Sequence, residues 1–138
     1  MSLVLDSSAT LAWIYSDETT NPIRPLFDAV GHEGAVVPAL WRLEIAKSLT
    51  IAVRRGHIEA NFRRAALTDL ALLDIAIDDQ PDVHAWGETL RLADFFQLTV
   101  YDAAYLELAQ RRNLPLATLD GELAAAAKSL GLCLMGME

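Results

Sequence analysis

The sequence predicts an α/β fold of three layers, with a mostly parallel central sheet flanked by helices. Short apolar runs alternate with helical stretches along the whole chain, which is the rhythm of strand–helix–strand units. Proline and glycine punctuate several of these segments at their ends. At 138 residues there is chain for one domain and too little for two, with no internal repeat and no linker. One compact domain over residues 1–138 is expected, and a chain of this size buries roughly two-thirds of its unfolded surface without staples.

Leu3, Val4 and Leu5 read as a buried strand that ends at Asp6. Ser7 or Ser8 then caps a helix whose apolar residues Leu11, Ile14 and Tyr15 recur at helical spacing. Pro22 and Pro25 bracket the start of a second helix, and Gly31 and Gly34 punctuate its end. A second strand, Ala35 to Val37, stops at Pro38. Ala39 to Arg55 is helical up to Gly56, and a further helix runs from about Ile58 to Leu72. Asp74 to Ile77 fits a third strand, and Pro81 to Phe96 another helix. Leu98 to Tyr101 reads as brief and extended, with Asp102 opening a strongly helical stretch. Leu116 to Thr118 is a strand, Asp120 starts an Ala-rich helix that ends at Gly131, and Leu132 to Met135 closes as a strand.

Composition narrows the functional class. A lone cysteine, Cys133, excludes an internal disulfide and a Cys-rich metal site; it reads as a buried small hydrophobe. The N-terminus has no basic region before its apolar stretch, and no run reaches the roughly 20 apolar residues a membrane span needs. A soluble cytoplasmic protein is expected. His32, His57 and His84 show no ligand spacing, so zinc is not indicated, and no glycine-rich phosphate loop is present. Trp13, Trp41 and Trp86 fall in helical stretches and read as core or interface. The net charge of −8 opposes nucleic-acid binding, but it is unevenly spread. Arg42, Lys47, Arg54, Arg55, Arg63 and Arg64, six of the eleven basic residues, lie in one stretch with only Glu44 and Glu59 among them. An acidic body with one basic patch suits a polyanion held beside a bound cation.

In open parallel sheets, sites collect beyond the carboxyl ends of the strands. Asp6, Asp102 and Asp120 each stand where an extended run gives way to a helix, so they can converge although far apart in sequence. Hard cations such as Mg²⁺ and Mn²⁺ take oxygen ligands and keep several waters, so a few carboxylates around a shallow cleft suit them. Taken singly, Asp102 and Asp120 read first as helix N-caps. Asp6 favours function, because Ser7 and Ser8 already offer caps. Glu44 sits among apolar neighbours on its helix, where an ionised carboxylate is costly unless paired. Its partner is either Lys47, one turn on, or a metal.

Four segments together, VLDSSA, WRLEIA, LTVYDAAYLELA and LATLDGEL, resemble PIN domains of the VapC toxin type from Leu3 to about Leu134. The resemblance implies a PIN-like fold and an acidic cluster on Asp6, Glu44, Asp102 and Asp120, supported by the small hydroxyl residues Ser7 and Thr118. It implies a Mg²⁺- or Mn²⁺-dependent endoribonuclease, a homodimer, and neutralisation by a VapB-type antitoxin. Lys47 departs from the pattern, since the family commonly has Asn three residues after the Glu; a cation there competes for Glu44 or contacts RNA. On this reading the acids hold one or two cations that activate a water for in-line attack on a phosphodiester. Lys47, Arg54, Arg55, Arg63 and Arg64 are candidates for the RNA backbone, although any single arginine reads first as part of a solvated helix face or as a salt bridge to the dimer mate. Leu11, Ile14, Leu26 and Phe27 suggest an apolar groove for the antitoxin, or plain core. A catalytically idle PIN-like binding module and a housekeeping nuclease are the competing readings. A dehalogenase-like site would want Asp-x-Asp where this chain has Asp6, Ser7 and Ser8.

Overall fold

The computed structural model describes residues 2–15, 23–80 and 83–135. Five strands in the described residues, β1 (Leu3–Leu5), β2 (Ala35–Val37), β3 (Ile75–Ile77), β4 (Leu116–Ala117) and β5 (Leu134–Met135), form one sheet in the order β3-β2-β1-β4-β5. Every pairing is parallel, as buried apolar runs linked by helices require. The helices are α1 (Ser7–Tyr15), α2 (Ile23–Glu33), α3 (Leu40–Arg54), α4 (Ala60–Ala71), α5 (Glu88–Phe96), α6 (Val100–Arg112) and α7 (Gly121–Ser129). The chain steps from β1 outward to β3, then returns to the other side of β1 for β4 and β5. That reversal makes the β1–β4 junction a topological switch point, where a parallel sheet opens a crevice beyond its strand ends.

The core follows from the same pattern. Leu3, Val4 and Leu5 of the central strand are buried, as are all three residues of β2 and both of β4. Leu106, Leu108 and Ala109 of α6 and Leu123, Ala126 and Ala127 of α7 join that core. Trp41 ties α3 to α1: its Nε1 donates to Thr10 Oγ1 at 3.0 Å, and Thr10 Oγ1 in turn donates to the carbonyl of Asp6 at 2.8 Å. Both bonds are buried, so they are strong locators of the helix that carries Glu44.

Several segments differ from the sequence reading. The fifth helix begins at Glu88; residues 83–87 form turns, and Pro81, like Pro22, lies outside the described residues. Trp86 is therefore neither helical nor core, and is 93% exposed. Leu98 to Tyr101 is not extended throughout, because Thr99 caps α6 by accepting from Asp102 N at 3.0 Å and Val100 is already helical. Asp102 thus stands in the first turn of α6 and does not open the helix. Cys133 is exposed, since β5 spans only Leu134 and Met135 and Cys133 precedes it. Gly31 lies inside α2. Leu26 and Phe27 are core residues, Phe27 stacking on Trp13 with centroids 4.5 Å apart.

Gly34 turns the chain from α2 into β2 at φ +78°, and a Cβ there would stand 2.9 Å from Asp74 Oδ2 and 3.1 Å from the Asp74 carbonyl. Gly34→Ala is expected to cost about 1–2 kcal/mol. The denaturant midpoint should fall with an unchanged slope, and an unchanged midpoint would refute this account of the turn.

Candidate metal centre

Asp6 leaves the end of β1 directly into α1, and its carboxylate is almost wholly buried. It is also the cap of that helix, the role the sequence reading gave to Ser7 or Ser8. Its Oδ1 accepts from Ala9 N at 3.0 Å and from Ser8 Oγ at 2.7 Å, and its Oδ2 accepts from Thr118 Oγ1 at 2.5 Å. Burial raises the Asp6 carboxyl above its ordinary value, the hydrogen bonds from Thr118, Ala9 and Ser8 pull it back, and the charge of Asp120 pushes it up again.

Thr118, the first residue after β4, joins the two halves of the switch point. Its hydroxyl reaches Asp6 and also accepts from Asp120 N at 3.0 Å. Ser8 Oγ accepts from Leu119 N at 2.9 Å. Asp120 caps α7 through Oδ1 alone, which accepts from Glu122 N at 3.0 Å and Leu123 N at 3.1 Å. The capping role expected of Asp120 is therefore real, and it occupies only one of the two oxygens.

Glu44 lies on α3, half-buried, one turn past Trp41. Among the described residues it makes no ion pair with Lys47, whose side chain is exposed. Its partner is Tyr105 of α6, whose hydroxyl donates to Glu44 Oε1 at 2.5 Å. The sequence reading missed Tyr105, Ser8 and Thr99. Tyr105 follows Asp102 by three residues and so shares its helix face, a spacing that was open to view.

Asp102 brings the acids together. Its pKa is raised to about 6, by burial first, then by the charges of Asp120, Asp6 and Glu44 in that order, with a Thr99 hydrogen bond opposing. Four carboxylates from the ends of β1 and β4 and from two helices thus act on one point, and among the described residues none is ion-paired. No three of the described acidic, histidine or cysteine side chains stand as a ready-made chelate. Mg²⁺ does not require one, since it binds through one or two carboxylates and keeps its remaining waters. The donor set fits such a cation: it is all oxygen, strongly negative, and Glu44 and Asp120 are each held by one oxygen with the other uncommitted among the described residues.

The PIN domain family model matches residues 3–129, nearly the whole chain. The chain belongs to the PIN-domain family. Solved structures with the same fold are similar to this PIN domain at low identity. PAE2754 from Pyrobaculum aerophilum is 24% identical with a TM-score of 0.68, covering 97% of this chain and 92% of its own. FitAcB from Neisseria gonorrhoeae is 14% identical with a TM-score of 0.65, covering 99% and 97%. Mycobacterium tuberculosis VapC20, described as a sarcin–ricin loop cleaving toxin, is 16% identical with a TM-score of 0.61, covering 90% and 94%. No curated protein matches the chain. PIN domains are typically divalent-metal-dependent nucleases.

The basic patch of this PIN domain is carried by the α3–α4 pair. Lys47, Arg54, Arg55 and Arg64 are exposed, Arg64 donating to Asn61 at 2.9 Å. Arg63 is half-buried and donates to Thr50 at 3.3 Å. Among the described residues no helix is long and apolar enough to cross a membrane.

Proposed function

We propose that this PIN domain is a divalent-metal-dependent endoribonuclease, the toxin of a type II toxin–antitoxin pair, acting in the cytoplasm as a single catalytic domain. The convergence of four carboxylates without a cationic partner at the switch point of a parallel sheet carries this reading. Burying like charges is unfavourable, and a fold that keeps them together gains most when a cation binds there. Asp6, Glu44 and Asp102 would hold one or two Mg²⁺ or Mn²⁺ ions directly or through water, with Asp120 completing the shell. A divalent cation so held supplies acidity to a coordinated water and countercharge to the phosphodiester. The protein's own part is preorganisation: Ser8, Ala9 and Thr118 fix the Asp6 carboxylate, and the backbone of α7 fixes Asp120.

Lys47, Arg54, Arg55, Arg63 and Arg64 would hold the RNA backbone, which explains how a chain of net charge −8 meets a polyanion. Similarity to a toxin that cleaves the sarcin–ricin loop makes structured RNA the first substrate class to try. Homodimerisation and a VapB-type antitoxin as partner belong to the same proposal.

The test is cleavage of a pool of structured RNAs by antitoxin-free protein with Mg²⁺, Mn²⁺ or chelator, beside Asp6→Asn. Cleavage that requires the cation and is lost in the folded variant is expected. A folded wild type that binds no divalent cation and leaves every RNA intact would move the idle binding module ahead.

A further inference from the structure

Tyr105 belongs to one of the elements on which the acids stand and touches another. It lies one turn after Asp102 on α6, and it is 1% exposed. A phenol buried this deeply needs a partner for its hydroxyl. Here it has one: the hydroxyl donates to Glu44 Oε1 of α3 at 2.5 Å. The phenol has one proton, and that proton is committed to the carboxylate.

The arrangement separates two tasks. Trp41 locates the backbone of α3 through Thr10, one turn before Glu44. That leaves the glutamate side chain with its own rotamer freedom, on the order of 1–2 kcal/mol. With no cation beside it among the described residues, and with Asp102 and Asp6 nearby, an unrestrained Glu44 would swing away from the other acids. The Tyr105 hydroxyl removes that freedom at one oxygen only.

We propose that Tyr105 is a positioning residue for the metal centre: its hydroxyl holds Oε1 of Glu44 and leaves Oε2 as the single oxygen that Glu44 offers a divalent cation. The inference rests on the nuclease reading above. The hydroxyls that reach Asp6 are those of Ser8 and Thr118, so Tyr105 acts on a different acid.

The test is titration of Mn²⁺ into RNA-free wild type and Tyr105→Phe, followed by calorimetry or by the spectrum of the free ion. Phenylalanine keeps the ring and its packing. Loss of an outer-shell support of this kind weakens metal affinity roughly 10–100-fold, and that weakening is expected here. The Mn²⁺ concentration for half-maximal RNA cleavage should rise by the same factor, with kcat at saturating Mn²⁺ near the wild-type value. Wild-type Mn²⁺ affinity in Tyr105→Phe overturns the proposal and leaves the nuclease reading standing. A kcat that stays low at saturating Mn²⁺ also overturns it, because Tyr105 would then act other than through the metal. Wild type that binds no Mn²⁺ fells both. If Tyr105→Phe does not fold, Tyr105→Met, whose flexible apolar side chain fills the core without a hydroxyl, decides, and unchanged affinity in that variant sinks the proposal.

Discussion

Asp102→Asn should abolish RNA cleavage and at the same time make the metal-free protein more stable at neutral pH. Outer-shell supports of metal sites are worth up to about 100-fold, so a carboxylate placed among the other three should cost more than that. The stability gain has its own cause. Asp102 is pushed up to about 6 by burial and by the charges of Asp120, Asp6 and Glu44, against an ordinary value of 3.8. Its folded-state pKa is therefore the higher one, so between about pH 4 and 6 the folded state binds more protons than the unfolded state. Stability of the metal-free wild type falls as pH rises through that window and stays lower above it. Asparagine cannot ionise, so the variant should lack this decline. Its advantage should be absent below about pH 4 and complete above pH 6. The group is part-exposed, and solvent screening reduces the gain to on the order of 1 kcal/mol, a rise in melting temperature of about 4 °C. A carboxylate in the first turn of a helix ordinarily helps that helix, and here burial and the three like charges outweigh the benefit. Mn²⁺ should raise the melting temperature of the wild type far more than that of the variant. A variant less stable than wild type at pH 7 would show that Asp102 serves α6 rather than a cation.

How much of this was legible beforehand divides along physical lines. β1 and β2 were readable to the residue, because three consecutive apolar residues ending at Asp6 or Pro38 leave little choice once both faces are buried. The parallel sheet was legible from the alternation, whereas its strand order is a property of the crossovers and no single segment carries it. Leu98 to Tyr101 misled because β-branched and aromatic residues favour strands. The Thr99 hydroxyl decided otherwise, and a hydroxyl three residues before an acid is a helix-start signal in its own right. Cys133 misled for a different reason, since an apolar run does not show where its strand begins, and Cys133 falls just before β5.

At the site, the acids were visible as residues but their company was not. Asp6 was read as free of capping duty because two serines followed it, yet capping and burial fall on the same carboxylate. Tyr105 was hidden because an aromatic residue in an apolar helix face reads as core, which it also is. Only the third dimension shows that its hydroxyl end meets Glu44, 61 residues away in sequence.

Arg111→Met is the second change with a large expected effect, and it lies at the far end of α6. Arg111 bonds Asp78 Oδ2 at 2.6 Å and Glu107 Oε2 at 2.9 Å, and both carboxylates are buried. Asp78 immediately follows β3, so one guanidinium joins an outer strand to the helix that carries Asp102 and Tyr105. The Arg111 guanidinium is the cation that these two acids share, and its own pKa is raised chiefly by the hydrogen bonds to Glu107 and Asp78. Removing it strands two buried negative charges, and breaking a buried pair in this way costs about 3–5 kcal/mol. Natural domains are stable by only about 5–15 kcal/mol, so the variant should unfold at a much lower denaturant concentration. The pair itself need not be stabilising, because desolvating three charges offsets most of their attraction. Replacing Asp78, Glu107 and Arg111 together by Leu, Met and Met should therefore recover most of the loss. If the single variant cost under about 1 kcal/mol, the pairing would be energetically idle. If instead the triple variant stayed as unstable as the single one, loss of packing at Arg111 would be the cause. Asp102 lies nine residues back along α6, about 14 Å at the rise of an α-helix. Mn²⁺ affinity of the folded triple variant then measures directly whether the metal centre depends on this anchor.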